Sequence, residues 1–201
     1  PFWQSTAFRT GLAVVLLAFG LNYTQTPFFF DVLHMHYGFP STWVVDRNPV
    51  FLYFVTVAYF ATYFALCTVT WRALRSTGSA VLRALSWVLA PMAMAFLETA
   101  LNANPFMTSL FCYDDMALML GFGTFSYGLA FLFVLPAWAT LDEHPGRPAA
   151  WWQPAVWTGA ALYADLIALE LLRYQVAPYL TTVVPDAPGL RDVATSCLVA
   201  P

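Results

Sequence analysis

The chain has 201 residues, of which 60 % are hydrophobic and 9 % charged, and its formal net charge is −3. A soluble domain carries about 25 % charged residues, so this chain cannot cover its surface with ionic groups and a bilayer is its natural solvent. All eight basic residues are arginine and none form a run, which argues against nucleic acid as a partner.

A helix needs about 20 apolar residues to cross a bilayer. Five stretches qualify: residues 10–30, 50–71, 84–103, 116–138 and 154–172. The first, second and fourth contain no charge; the third contains Glu98, and the fifth contains Asp165 and Glu170. Punctuated loops separate them, such as Tyr37-Gly38-Phe39-Pro40, Asp46-Arg47-Asn48-Pro49, Ser76-Thr77-Gly78-Ser79, Asn104-Pro105 and the run from Asp142 to Pro148. After Tyr174 the chain is proline-studded and reads as irregular. The expectation is an all-α, polytopic membrane bundle of about five helices forming one domain over residues 1–201. Because the chain begins at Pro1 rather than Met, further N-terminal sequence is expected upstream.

Arg9, Arg72, Arg75 and Arg83 flank one side of these segments, which the positive-inside rule makes cytoplasmic. The loops at 31–49 and 104–115, and the tail, then lie opposite. Cys112 and Cys197 share that far side, where a disulfide is one reading and two free thiols the other. With Cys67 they lack metal-ligand spacing, and His34 with His36 has no third ligand nearby, so no metal is expected.

Helices one, three and five run in the same direction, so depth follows from counting. Asn22 and Asp165 lie roughly 3 Å beyond the middle of their segments, Glu98 roughly 7 Å and Glu170 roughly 10 Å. All are displaced toward the non-cytoplasmic side, where Asp114 and Asp115 sit as caps of helix four. An ionisable group at a helix centre costs at least ~2.5 kcal/mol, so such residues in a span are functional by default.

Faces are legible as well. Trp87, Pro91, Met94, Glu98 and Asn102 share one face of helix three. Thr56, Tyr59, Tyr63, Cys67 and Thr70 form a stripe on helix two, and Asn22, Gln25, Thr26 and Phe29 one on helix one. Gly121, Thr124 and Gly128 give helix four a small-residue face. Each has a bland reading: Glu98 could be a structural acid bonded to Asn102, Asp165 a structural carboxyl, the tyrosines core packing, and Glu170 with Arg173 a simple i,i+3 pair.

The run Asn22-Tyr23-x-x-Thr26-x-x-Phe29-Phe30-x-Val32-Leu33, followed by Tyr37-x-Phe39-Pro40, resembles the cycloeucalenol cycloisomerase family, the cyclopropyl sterol isomerases of plants and algae. Leu97-Glu98-Thr99 with Ala103-Asn104 does too, with smaller echoes at Leu74-Arg75, Asp142-Glu143 and Glu170 with Arg173. The matches run in order over nearly the whole chain. The chain departs from the family pattern at Pro27, at Asp31 and in its cysteine-containing tail, and the family carries additional helices before this region. The resemblance implies an intramembrane isomerase that opens the 9β,19-cyclopropane ring of a sterol, cycloeucalenol to obtusifoliol, without a redox cofactor. It implies a sterol partner drawn from the bilayer, with membrane lipids around it. The site would be the endoplasmic reticulum in a eukaryote and the inner membrane in a bacterium.

A cyclopropane is a poor base, and opening it requires a well-placed proton donor. A carboxylic acid shielded from water keeps its proton near neutrality, which makes Glu98 the expected general acid, oriented by Asn102 and Asn22. Asp165 is the expected partner for the second proton. Tyr23, Tyr59, Tyr63 and Trp87 are candidates to face a transient carbocation, and Thr26 shares the polar face of helix one. His34, Asp31 or Asp114 would anchor the sterol hydroxyl. The rival reading is a lipid-binding membrane protein or small transporter without chemistry.

Overall fold

In a computed structural model the described residues are 2–143 and 149–183. Helix α1 (Thr6–Thr24) starts at Ser5, whose hydroxyl accepts from the Phe8 amide at 3.1 Å, satisfying a donor that the first turn leaves open. It breaks at Gln25 and resumes as α2 (Thr26–Asp31). The break has a local cause: Pro27 has no amide hydrogen to continue the ladder. Helix α3 spans Val50–Ser76 and α4 spans Ala80–Asn102. The tight connection between them uses Gly78 at φ 77°, a conformation that disfavours a side chain, and Ser79 caps α4. A short helix α5 (Met116–Leu118) leads through a π-helical turn at Met119–Gly123 into α6 (Thr124–Glu143), and α7 covers Gln153–Leu171.

Five of these helical runs are long and apolar enough to cross a membrane: Thr6–Asp31, Val50–Ser76, Ala80–Asn102, Met116–Leu141 and Gln153–Tyr179. The expected all-α membrane bundle is therefore present, with each span three to eight residues longer than hydropathy alone suggested. The helices pack as a closed ring, α1 on α3, α3 on α4, α4 on α6, α6 on α7 and α7 on α1, while α6 also touches α1 and α3. This makes α6 the axis of the core, where Phe131, Val134, Leu135 and Trp138 are fully enclosed. Close approach is set by small residues. A side chain at Gly128 would lie 2.6 Å from Met92 of α4, and one at Gly20 would collide with Leu162 of α7. Of the small-residue face expected on helix four, Gly128 packs this way, Thr124 hydrogen-bonds Thr99 at 2.6 Å, and Gly121 meets nothing within 4 Å.

Two segments that read as loops contain short strands. Strand β1 (Met35–Tyr37) pairs antiparallel with β4 (Phe111–Tyr113), and β2 (Val44–Val45) with β3 (Asn48–Pro49). The second pair turns at Asp46 and Arg47, with φ of 48° and 64°, the left-handed geometry of a two-residue hairpin turn. Together they roof one end of the bundle. The roof is fastened by a charge cluster: Asp31, almost fully buried, accepts from Arg47 at 2.6 Å and from Arg173 at 2.8 Å, and Arg173 reaches Glu170 at 3.5 Å. Glu170 and Arg173 therefore pair as expected, but the shorter contact of Arg173 goes to Asp31. Asp115 alone caps α5, accepting from the Leu118 amide at 2.8 Å; Asp114 instead accepts from His36 at 3.0 Å. Cys112 is buried on β4, and the disulfide weighed for Cys112 and Cys197 falls on a residue outside those described, as does the loop at 144–148.

Candidate functional site

A cavity of about 530 Å³ opens between α1, α3, α4 and α6, beneath the roof. That volume suits a single lipid-sized organic molecule. It is elongated: its wall on α3 runs from Leu52 to Leu66, fourteen residues or about 21 Å of helix. Tyr59 and Leu66 of α3 and Leu97 and Leu101 of α4 line it while remaining exposed on the outside of the bundle. The cavity thus has a side window between α3 and α4, at the depth where acyl chains would surround the protein.

Glu98 stands in this wall. Its i+4 neighbour Asn102 donates from Nδ2 to Oε1 at 2.8 Å and to the Glu98 carbonyl at 3.0 Å. The Tyr63 hydroxyl donates to Oε2. One turn of α4 and the facing turn of α3 therefore hold the carboxyl at both oxygens. Tyr63 stacks over Tyr59 with ring centroids 6.5 Å apart and meets Phe60 and Phe131 edge-on. The acid is set in a largely aromatic wall.

A second polar group lies closer to the roof. Asn22 donates to Thr56 Oγ1 at 2.6 Å and to the Ala18 carbonyl at 2.7 Å, while its Oδ1 accepts from Asn48 at 2.7 Å. Asn48 also reaches Thr26 at 3.4 Å and accepts from the Tyr37 hydroxyl at 2.9 Å. Burial raises the phenols of Tyr37 and Tyr113 above their ordinary value. Both roof tyrosines remain hydroxyl donors across the physiological range.

Of the residues expected at a site, Glu98, Asn102, Asn22, Thr26, Tyr59 and Tyr63 share this one cavity. Asn22 does not touch Glu98, however. It binds Thr56, seven residues and about 10 Å along α3 from the Tyr63 that binds Glu98. Tyr23 is 56 % exposed and lies outside the wall, because successive residues of a helix point about 100° apart. Trp87 is eleven residues from Glu98, about 16 Å along α4. It packs on Trp71 at 4.8 Å and under Arg75, at the opposite end of the bundle from the roof. Asp114, His34 and Asp31 also stand outside the cavity, engaged in the roof.

Asp165 is buried to 1 % exposure on α7 and neither carboxyl oxygen has a hydrogen-bond partner. It does not line the cavity. Tyr127 of α6 lines the wall and, like Asp165, is buried, but it makes no hydrogen bond to either carboxyl oxygen of Asp165. Sequence reasoning missed Tyr127. Its spacing from Gly128 marks it only as the neighbour of a packing glycine, and its importance comes from the central position of α6. No group of three or more metal-ligating side chains occurs among the described residues.

Among characterised proteins, the chain is 29 % identical over 143 residues to cycloeucalenol cycloisomerase of Arabidopsis thaliana, a match covering 67 % of this chain and 49 % of that protein. The chain thus spans about half the length of the curated relative it matches. This is a distant relationship. No family model and no solved structure matches.

Proposed function

We propose that the chain is a membrane sterol isomerase that opens the 9β,19-cyclopropane ring of a cyclopropyl sterol by proton transfer inside the membrane. The distant relative supports sterol isomerisation. The observation that carries the reading is Glu98, a carboxyl held at both oxygens in an aromatic-walled, elongated cavity with a window toward lipid. A substrate as apolar as a sterol arrives through such a window without crossing water.

The reaction divides into two proton transfers. Asn102 occupies Oε1, which leaves Oε2 as the oxygen that carries the acidic proton; the Tyr63 hydroxyl can accept from it as well as donate to it. Glu98 gives that proton to C19. The C9–C19 bond breaks, its electron pair forms the new C–H bond, and the positive charge moves to C9. Loss of the proton at C8 then places the double bond between C8 and C9, and the number of protons is unchanged overall. The rings of Tyr59, Tyr63 and Phe60 line the cavity, and a ring face turned toward C9 stabilises the cation before it collapses. Exclusion of water keeps it from being captured as an alcohol. The proton from C8 is taken up by Asp165 through the Tyr127 hydroxyl, once that hydroxyl swings into hydrogen-bond reach of a carboxyl that has no partner at rest; return of the proton to Glu98 by the same route resets the acid for the next turnover. Asp165 acts through Tyr127 and does not touch the sterol.

The test is to incubate membranes containing the protein with cycloeucalenol and with cycloartenol in D₂O. The reading expects ring-opened Δ8 product carrying one deuterium in its C19 methyl group. Ring-opened product without that label excludes an exchangeable acid, and recovery of both sterols unchanged favours a lipid-binding protein without chemistry.

A further inference from the structure

Gln25 sits at the break between α1 and α2, where Pro27 interrupts the helix. Its backbone is engaged: the amide donates to the Leu21 carbonyl at 2.8 Å and the carbonyl accepts from Phe29 at 3.2 Å. Its side chain is not. The residue is 2 % exposed, lines the cavity, and its Nε2 has no acceptor. Among the described residues of the cavity wall, no other side chain has a buried polar atom without a partner. The neighbouring polar groups do not accept from it. Asn22, Thr56, Asn48 and Tyr37 already satisfy one another, and Thr56 spends its own hydrogen on the Leu52 carbonyl at 2.7 Å. A buried amide donor in a cavity wall that lacks an acceptor is the exception in folded proteins and marks a place where something else accepts.

The chemistry of the acceptor is constrained. No arginine, lysine or histidine lines the cavity among the described residues, so a carboxylate or phosphate would enter uncompensated. A neutral oxygen fits. A primary amide offers both a donor and an acceptor, and a hydroxyl group can use either. The surrounding wall is apolar apart from the groups named, which matches a molecule with one polar atom at one end. Gln25 lies one turn beyond Asn22 on the roof side, so it is more than about 10 Å along the bundle from the turn of α3 that binds Glu98. The cavity therefore has an oxygen-binding end and a proton-donating region further in.

We propose that Gln25 is the anchor for the substrate's hydroxyl group, the contact that sets how far the ring system penetrates toward Glu98. This rests on the sterol-isomerase reading and adds to it the subsite for the 3-hydroxyl, which none of His34, Asp31 or Asp114 provides. The test measures equilibrium binding of cycloeucalenol and its 3-deoxy analogue to the full chain in lipid nanodiscs. Glu98→Gln is used as the background so that nothing is turned over, with and without Gln25→Met. Methionine keeps the length of the side chain and removes its hydrogen bonding. With Gln25 present, cycloeucalenol is expected to bind about fivefold more tightly than the deoxy compound, the worth of one neutral hydrogen bond. With Gln25→Met that ratio falls to about one, the affinity of the deoxy compound is unchanged, and the unliganded protein unfolds at the same temperature or higher. A hydroxyl preference that survives Gln25→Met overturns the assignment, as does a clear loss of unliganded stability, which would make Gln25 structural. If neither sterol binds saturably, the sterol reading itself fails and the anchor with it.

Discussion

Asn102 and Tyr63 hold the two oxygens of Glu98 by different means, and their removal has different consequences. Asn102 comes from the next turn of the same helix, so its bond is local and survives motion between helices. Tyr63 comes from α3 and ties the acid to the opposite wall. Tyr63→Phe keeps the ring and loses the hydroxyl. We expect it to slow turnover by about tenfold and to lower stability by about 1 kcal/mol, the net worth of one hydrogen bond; single-turnover rates and thermal unfolding check both. Tyr127→Phe and Asp165→Asn interrupt one relay and so act as a unit. Each single change and the double change are expected to slow the reaction to a similar extent, whereas independent roles would make the losses multiply. The spacing of Glu98 and Asn102, and the stripe that carries Tyr63, were legible in the sequence because a helical repeat fixes which residues share a face. Which stripe faces which is a property of the assembled ring. That is why Tyr127 was invisible; Trp87 meets the same helix as Glu98 but, eleven residues away, ends beside Trp71 and Arg75.

The break at Gln25 shows what one proline does to an element. Pro27 removes a rung of the helix, yet Asn22, Gln25, Thr26 and Phe29, one stripe by helical spacing, all still line the cavity. Hydropathy registers only the length of that span, so the kink was not legible as a feature of the site. The short strands were also missed, since two or three residues are too few to display alternation. The roof depends on Asp31, which sits between two guanidinium groups. Asp31→Ala would leave buried positive charge without its carboxylate, and a loss of about 3–5 kcal/mol is expected in denaturant unfolding. Asp31 is outside the cavity, so turnover per folded molecule should change little. A large drop in turnover at full stability would place the ion cluster in the site after all.

At the scale of the whole molecule, the side window decides between an enzyme pocket and a conduit. A chamber reached from lipid keeps water out, while a solute path admits it. Asn102→Cys, introduced with the buried Cys67 left in place, is expected to resist a charged, water-soluble thiol reagent and to react with a lipid-soluble one. Rapid labelling by the charged reagent would favour transport. The bundle itself was legible from composition, because a chain with 9 % charge and five long apolar runs has few alternatives. The chamber was not, since it arises where α6 fills the axis and leaves space under the roof. The central claim is that Glu98 delivers the proton that opens the ring. It is tested most directly by comparing wild type with Glu98→Gln on cycloeucalenol, with sterol binding and unfolding measured in parallel. The account predicts a folded, sterol-binding variant whose turnover is lower by about 10²–10⁴-fold, the usual contribution of a general acid; turnover at the wild-type rate would contradict it.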